Sequence, residues 1–188
     1  GQGQVWWEHH QRGQEKYTRG HLIELLWSTD IEMSKVTLRN SPFWTVHPVY
    51  CRGFHAHDLT IINPISGKVA PNTDGIDPDS TSDVLIERVY IATGDDCIAI
   101  KSGWDEFGYE YGVPSQNITI CDLTCTTPSS AGVCIGSEMS GGVSDVHVQR
   151  AHFVDCSTGL RLKTGRGRGG YIHDIRMEDV TMPRTQTA

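Results

Sequence analysis

The chain has 188 residues, 37% of them hydrophobic and 21% charged, which is enough apolar content for one packed domain and too much for a disordered tail. Its 23 acidic and 16 basic residues give a formal charge of −7; this excludes a general nucleic-acid binder, which needs a basic face to neutralise phosphates, but leaves room for an acidic ligand held by a few local cations. No run approaches the roughly 20 apolar residues of a membrane helix, and Gly1-Gln2-Gly3-Gln4 lacks the regions of a signal peptide, so any export signal is expected outside these residues.

From the N-terminus, Trp6 and Trp7 are expected in core or cap packing. A repeated phrase follows, apolar-x-apolar with polar flanks: Val36-Thr37-Leu38, Leu59-Thr60-Ile61, Val84-Leu85-Ile86, Ile118-Thr119-Ile120, Val146-His147-Val148 and Ile175-Arg176-Met177. Between its copies runs a second ladder, out of phase with the first: Trp44-Thr45-Val46, Gly75-Ile76-Asp77, Ile98-Ala99-Ile100, Val133-Cys134-Ile135 and Leu160-Arg161-Leu162. Period-2 alternation with β-branched residues makes each copy a strand, and intervals of 23 to 34 residues make each pair of strands one turn of a solenoid. Two-residue hairpin turns and long amphipathic helical stretches are both scarce. The expected fold is therefore all-β, a right-handed parallel β-helix filling residues 1–188 as a single domain, with coils about 4.8 Å apart. Ile98, Ile100, Ile135 and Leu162 should point into the lumen. Neither end carries an obvious cap, so the chain is expected to be the central part of a longer one.

The longest interval holds Gly103 to Pro114, read as an insertion loop. Its Trp104, Phe107, Tyr109 and Tyr111 suit either stacking on a sugar or packing of the loop onto the coil. Six cysteines (Cys51, Cys97, Cys121, Cys125, Cys134, Cys156) fit an oxidised protein but allow 15 pairings and form no metal motif; Cys97, Cys121 and Cys134 read as small buried side chains. The triplet Asn117-Ile118-Thr119 is an N-glycosylation sequon, weak support for secretion.

Outward-facing positions of the second ladder collect ionisable groups: Asp74 and Asp77, then Asp95 and Asp96, then Arg161 and Lys163. Asp74 precedes Ile76 by two and Asp96 precedes Ile98 by two, so these carboxylates occupy equivalent positions on adjacent coils. A cluster of like charges repels itself, so at least one member should keep its proton to unusually high pH. An acid beside a base is the equipment of glycoside hydrolysis. Asp77 and Asp79, flanking Pro78, read equally well as turn residues.

The runs Asn72-Thr73-Asp74-Gly75-Ile76-Asp77, Gly94-Asp95-Asp96-Cys97 and Arg161-Leu162-Lys163 resemble, in order and spacing, three of the four signature blocks of the polygalacturonase family, glycoside hydrolase family 28. Ser41-Pro42-Phe43-Trp44-Thr45-Val46-His47-Pro48 and Ile135-Gly136-Ser137-Glu138-Met139-Ser140-Gly141-Gly142 resemble its plant-type branch. The resemblance implies a secreted or cell-wall enzyme that hydrolyses the α-1,4 links of galacturonic acid in pectin, by inversion, without metal or other cofactor, as a monomer and without a nucleic-acid or membrane partner. It implies Asp95 as general acid, Asp74 and Asp96 as the pair that activates water, and Arg161 and Lys163 as the cations that bind substrate carboxylate. The last role also follows from charge, since a polyanion on an acidic protein must meet local positive groups.

Two departures stand out. The fourth block, Gly-His-Gly in the family, is Ser130-Ala131-Gly132 here, and the chain stops soon after Thr181-Met182, before the family's tyrosine. His55, His57 and His147 lie on an earlier turn or the other ladder and are not expected to replace the histidine. The missing histidine suits an alternative, a non-catalytic pectin-binding wall protein of the same fold. A β-helical lyase would instead need calcium and an arginine base.

Overall fold

The structure, a computed structural model, describes residues 1–188. A helix, α1 (Gly3–Gln11), precedes six short strands: β1 (Ile23–Leu26), β2 (Thr29–Ser34), β3 (Thr37–Arg39), β4 (Val46–Val49), β5 (Arg52–His57) and β6 (Thr60–Ile62). Then come β7 (Ser82–Ala92), β8 (Ile98–Ile100), a short helix α2 (Asp105–Tyr111) in the expected insertion, β9 (Ser115–Thr126), β10 (Ala131–Ile135), β11 (Val143–Phe153), β12 (Thr158–Leu162) and β13 (Ile172–Thr181). All strand pairings are parallel, as expected for stacked coils.

One wall is the sheet β13-β11-β9-β7-β5-β2, in which Ile31, Phe54, Val84, Ile118, Val146 and Ile175 form one ladder, one residue per coil. The other wall carries the ladder Ile23, Val46, Ile76, Ile98, Val133 and Leu160, made by β1-β4 and β12-β10-β8 and joined through single bridges at Ile76. The lumen between them is filled by fully buried Phe54, Ile86, Ile91, Ile98, Ile120, Leu123 and Phe153. In the first and last coils Ile31, Leu38, Ile172, Ile175 and Met177 pack on this core from one side and stay partly exposed.

The long strands bend at single residues in the left-handed region. Asp58, Arg88, Asp122, Arg150 and Asp179, each with φ between 50° and 53°, stack at one corner. Asp tolerates this conformation better than most residues. Alternating charges pair across coils there, Arg88 Nε to Asp58 at 2.9 Å and Arg150 Nε to Asp122 at 2.8 Å; solvent screens such exposed pairs, so they contribute little to stability.

The structure corrects several sequence expectations. Leu59-Thr60-Ile61 lies beside Val89-Tyr90-Ile91, not beside Val84-Leu85-Ile86, whose true neighbour is Phe54-His55-Ala56. Leu162 follows the register of Ile135 but is 52% exposed, because the next coil pairs with β12 only at Thr158 and covers nothing at Leu162. Trp7 is buried and its indole N–H donates to the Ser41 carbonyl, whereas Trp6 is largely exposed. Cys97 is buried, but in a disulfide with Cys125, while Cys121 and Cys134 are free and buried. Asn117 is exposed, with its amide nitrogen donating to Asp83.

Burial in the lumen sets the cost of truncation. Ile120→Ala should lower unfolding free energy by about 2–5 kcal/mol, whereas Leu162→Ala should cost under about 1 kcal/mol; urea denaturation of both variants checks this, and equal losses would contradict the lumen assignment.

Candidate active site

The cross-coil register brings the acidic groups together. Ile76 pairs with Ile98, which sets Asp74 beside Asp96, and the Gly75 N–H donates to the Asp96 carbonyl. One carboxylate oxygen each from Asp74, Asp95 and Asp96 lies within 4.8 Å of the other two. Asp74 and Asp96 are buried, and Asp95 is partly exposed.

Asp96 is fully engaged. Its Oδ1 accepts from Ser130 Oγ at 2.5 Å and from the Ala131 N–H at 2.9 Å, and its Oδ2 accepts from Lys163 Nζ at 2.8 Å. Burial alone would raise its pKa, but the Lys163 ammonium and these hydrogen bonds overcome it and hold the carboxyl below its usual range. Asp96 is therefore ionised. Asp74 behaves oppositely: burial, then the charges of Asp95 and Asp96, raise its pKa well above normal against the pull of Lys101 and Lys163 and favour its protonated form. Asp95 accepts the Asp96 N–H at 2.9 Å.

Lys163 reaches the cluster because β12 continues one step beyond Leu162. The Lys163 N–H donates to the Ile135 carbonyl at 2.8 Å, and Gly136, at φ 93°, permits this approach, since a Cβ there would meet the Lys163 carbonyl oxygen. Lys163 resists deprotonation: burial opposes its charge, but Asp96 outweighs burial and lifts its pKa to about 12. Arg161 is not part of this constellation. It takes the register position of Cys134, and its guanidinium makes one protein hydrogen bond, to Thr158 Oγ1 at 3.1 Å.

Alternation alone points to a second cation that the sequence reading passed over. Lys101 follows Ile98-Ala99-Ile100 on the same outward phase and is 2% exposed. Its Nζ bonds Glu138 at 2.9 Å and sits 4.3 Å from the centre of the Trp44 ring. Burial disfavours its charge, but Asp77, Asp74 and Glu138 outweigh that and raise its pKa. Asp77 is fully buried with neither carboxylate oxygen hydrogen-bonded; burial and the Asp74 charge raise its pKa well above normal. The turn role considered for Asp77 has no hydrogen bond to support it.

These groups line a cleft of about 470 Å³ formed by Asp74, Asp95, Lys101, Glu138 and Lys163 with Phe43, Trp44, Trp104 and His21. Its near wall is the segment before β1, fixed by buried Arg19, which donates to the Pro42 and Pro71 carbonyls and to Asn72 and pairs with Glu15. Trp104 is exposed at the cleft under the Arg168 guanidinium, while Tyr111 packs edge-on against Tyr50. Trp104 is thus open at the cleft, whereas Tyr111 packs on the coil. His55, His57 and His147 pair with Glu87, Asp58 and Glu178 and do not line the cleft. A hard cation would find oxygen donors in the three carboxylates, but Asp96 already spends both oxygens on Lys163, Ser130 and Ala131.

A family model described as Glycosyl hydrolases family 28 matches residues 1–187. A probable polygalacturonase of Vitis vinifera is 50% identical over 182 residues, covering 97% of this chain and 36% of the relative. A polygalacturonase of Chamaecyparis obtusa is 37% identical over 196 residues, covering 97% and 34%. Among solved structures, a hyperthermoactive exopolygalacturonase from Thermotoga maritima superposes with a TM-score of 0.86 at 34% identity, over 95% of this chain and 41% of that one. A polygalacturonase from Erwinia carotovora superposes with a TM-score of 0.85 at 32% identity, over 98% and 49%. The chain spans about a third of the length of the curated relatives it matches.

The buried proton on Asp74 has a thermodynamic signature. An acid whose folded pKa is raised stabilises the fold while protonated, and that contribution is lost as pH climbs from its unfolded value toward its folded one. Asp74→Asn keeps a neutral group of the same shape. Its Tm should equal that of the wild type near about pH 4 and exceed it by a few degrees near about pH 8; a difference independent of pH, measured by calorimetry, would contradict the assignment.

Proposed function

The chain belongs to glycosyl hydrolase family 28, and on that premise we propose that the protein hydrolyses the α-1,4-galacturonosyl links of pectin by a single displacement that inverts the anomeric centre. The observation that carries this reading is the cluster Asp74, Asp95 and Asp96, of which Asp74 and Asp95 line the cleft, with a carboxyl held below its usual pKa, Asp96, beside one raised well above it, Asp74.

Asp95 is proposed as the general acid, because its side chain is the partly exposed member and lines the cleft. Asp74 holds a proton in the resting site; passed to Asp95, it is the proton that the glycosidic oxygen takes as its bond to the anomeric carbon breaks. Asp74, now ionised, then takes a proton from the attacking water, and Asp96, the other member of the pair, holds its negative charge beside it. Water rather than a carboxylate is the nucleophile for a specific reason: both Asp96 oxygens are occupied by donors, and a protonated Asp74 is a poor nucleophile. The nearest oxygens are closer than the roughly 6.5–9.5 Å between carboxyls in most inverting glycosidases, so the water must approach from the cleft rather than between the acids.

Lys163 and Arg161 are proposed to meet the carboxylates of the polymer. Lys163 does so while paired with Asp96, and Arg161 with the N–H groups that Thr158 leaves free. A wall location agrees with the Cys97–Cys125 disulfide, which suits an oxidising compartment; no helix is long and apolar enough to cross a membrane.

One observation favours a second reading, a pectin binder that does not cut. The position of the family's histidine is Ala131, whose only contact with the acids is its backbone N–H on Asp96. Reducing-sugar release from polygalacturonate separates the two: release supports the hydrolase, and tight binding without release supports the binder.

Two further outcomes are expected. Asp95→Asn should lower kcat by about 10²- to 10⁴-fold, the worth of a general acid, whereas Asp122→Asn, on β9 of the opposite sheet and paired with Arg150, should leave it unchanged; rates within a factor of about two for both would refute the role of Asp95. Lys163→Ala should lower kcat and raise KM, since it also removes the counter-ion of Asp96, while Arg161→Ala should raise KM alone. Salt should narrow the KM differences as exposed charges are screened, and kinetics on oligogalacturonate at two ionic strengths reads both effects.

A further inference from the structure

At the edge of the cleft, and outside the acid cluster, three polar side chains converge. Glu24 on β1 and His47 on β4 are register partners, and His21 stands just before β1. Glu24 Oε1 is 3.5 Å from His47 Nδ1 and 3.5 Å from His21 Nε2, and one donor atom from each of the three lies within 4.8 Å of the others. The His47 residue is 6% exposed, and His21 is half-buried.

The tautomer of His47 follows from its other nitrogen. Nε2 lies 3.2 Å from Asp79 Oδ2, an acceptor, so the imidazole hydrogen belongs on Nε2. Nδ1 then presents a bare lone pair. It is buried, it has no hydrogen-bond partner, and it faces a carboxylate oxygen, which is also an acceptor. Buried polar atoms are almost always satisfied, and two acceptors turned toward each other are stable only with a positive centre between them. Ring packing against Trp44 and Phe43 accounts for where His21 lies, with centroids 5.2 Å and 5.5 Å away, but not for three donor atoms within 4.8 Å of one another.

We propose that His21, Glu24 and His47 form a binding site for a divalent first-row cation of the zinc class. Two imidazoles and one carboxylate are the donor set such ions prefer, whereas calcium and magnesium take oxygen. The 3.5 Å separations are close to the roughly 3.4 Å between neighbouring ligands of a tetrahedral zinc with bonds of about 2.1 Å. Asp79 behind His47 is the outer carboxylate that metal-bound histidines commonly use to fix their orientation. Three protein donors leave a coordination position open, on the side where Glu24 meets solvent, for water or a ligand carboxylate. The proposal does not depend on the hydrolase reading.

The test is titration of the protein with Zn²⁺ by isothermal calorimetry in a non-chelating buffer, with Co²⁺ as a spectroscopic substitute. Wild type should bind one zinc per chain at about micromolar concentration or below, and Co²⁺ should give visible ligand-field bands. Glu24→Gln, a change at a half-exposed side chain that should not disturb folding, and His21→Ala should each weaken binding by about 100-fold or more, beyond the 10- to 100-fold cost of losing an outer partner. His173→Ala, on exposed β13, serves as the control and should bind as wild type does. Absence of zinc binding to wild type, or binding that Glu24→Gln leaves unchanged, would overturn the proposal.

Discussion

In-register stacking of parallel coils governs everything else in this molecule. Once Val46, Ile76, Ile98, Val133 and Leu160 share a ladder, each outward residue is fixed about 4.8 Å from its equivalent on the next coil. The lumen behind that ladder is filled and cannot relax. Where equivalent positions are both acidic, as at Asp74 and Asp96, the backbone forces like charges together. The fold can resolve the conflict only by pairing, hydrogen bonding or protonation.

All three resolutions appear within one cleft. Asp96 is paired with Lys163 and bonded by Ser130 and Ala131, Asp74 keeps its proton, and Lys101 is drawn in between Asp77, Asp74 and Glu138. The result is a set of carboxyl groups whose protonation states differ because their surroundings differ, which is the requirement for acid and base chemistry at one pH. A chain of net charge −7 thus concentrates two of its lysines where a polyanion would lie, and electrostatics acts locally rather than through the overall charge.

Much of this was legible in the alternation of the second ladder. Its columns predicted the lumen residues Ile98, Ile100 and Ile135 and the meeting of Asp74 with Asp96, because period-2 patterning and coil spacing are local properties of the chain. Lys101 stood in the same phase and was readable by the same rule. The neighbour of Leu59-Thr60-Ile61 was not, because β7 carries two apolar triplets separated by Arg88 in the left-handed conformation, and either one satisfies the pattern. Nor was the exposure of Leu162, which depends on how much of the next coil covers it rather than on its own strand. The wall bearing His21 lacks periodicity altogether and is held by Arg19, whose partners Pro42, Pro71 and Asn72 are distant in sequence. Its convergence with Glu24 and His47 emerges only from the register of β1 and β4.

The central claim is that stacking forces Asp74 and Asp96 into opposite protonation states. Carbon-13 NMR titration of the aspartate carboxyl carbons, assigned by Asp74→Asn and Asp96→Asn, measures this directly. The account predicts that the Asp96 signal stays in its ionised position to below about pH 4 while the Asp74 signal remains protonated well above it. Two signals that both titrate near the ordinary aspartate value would contradict it.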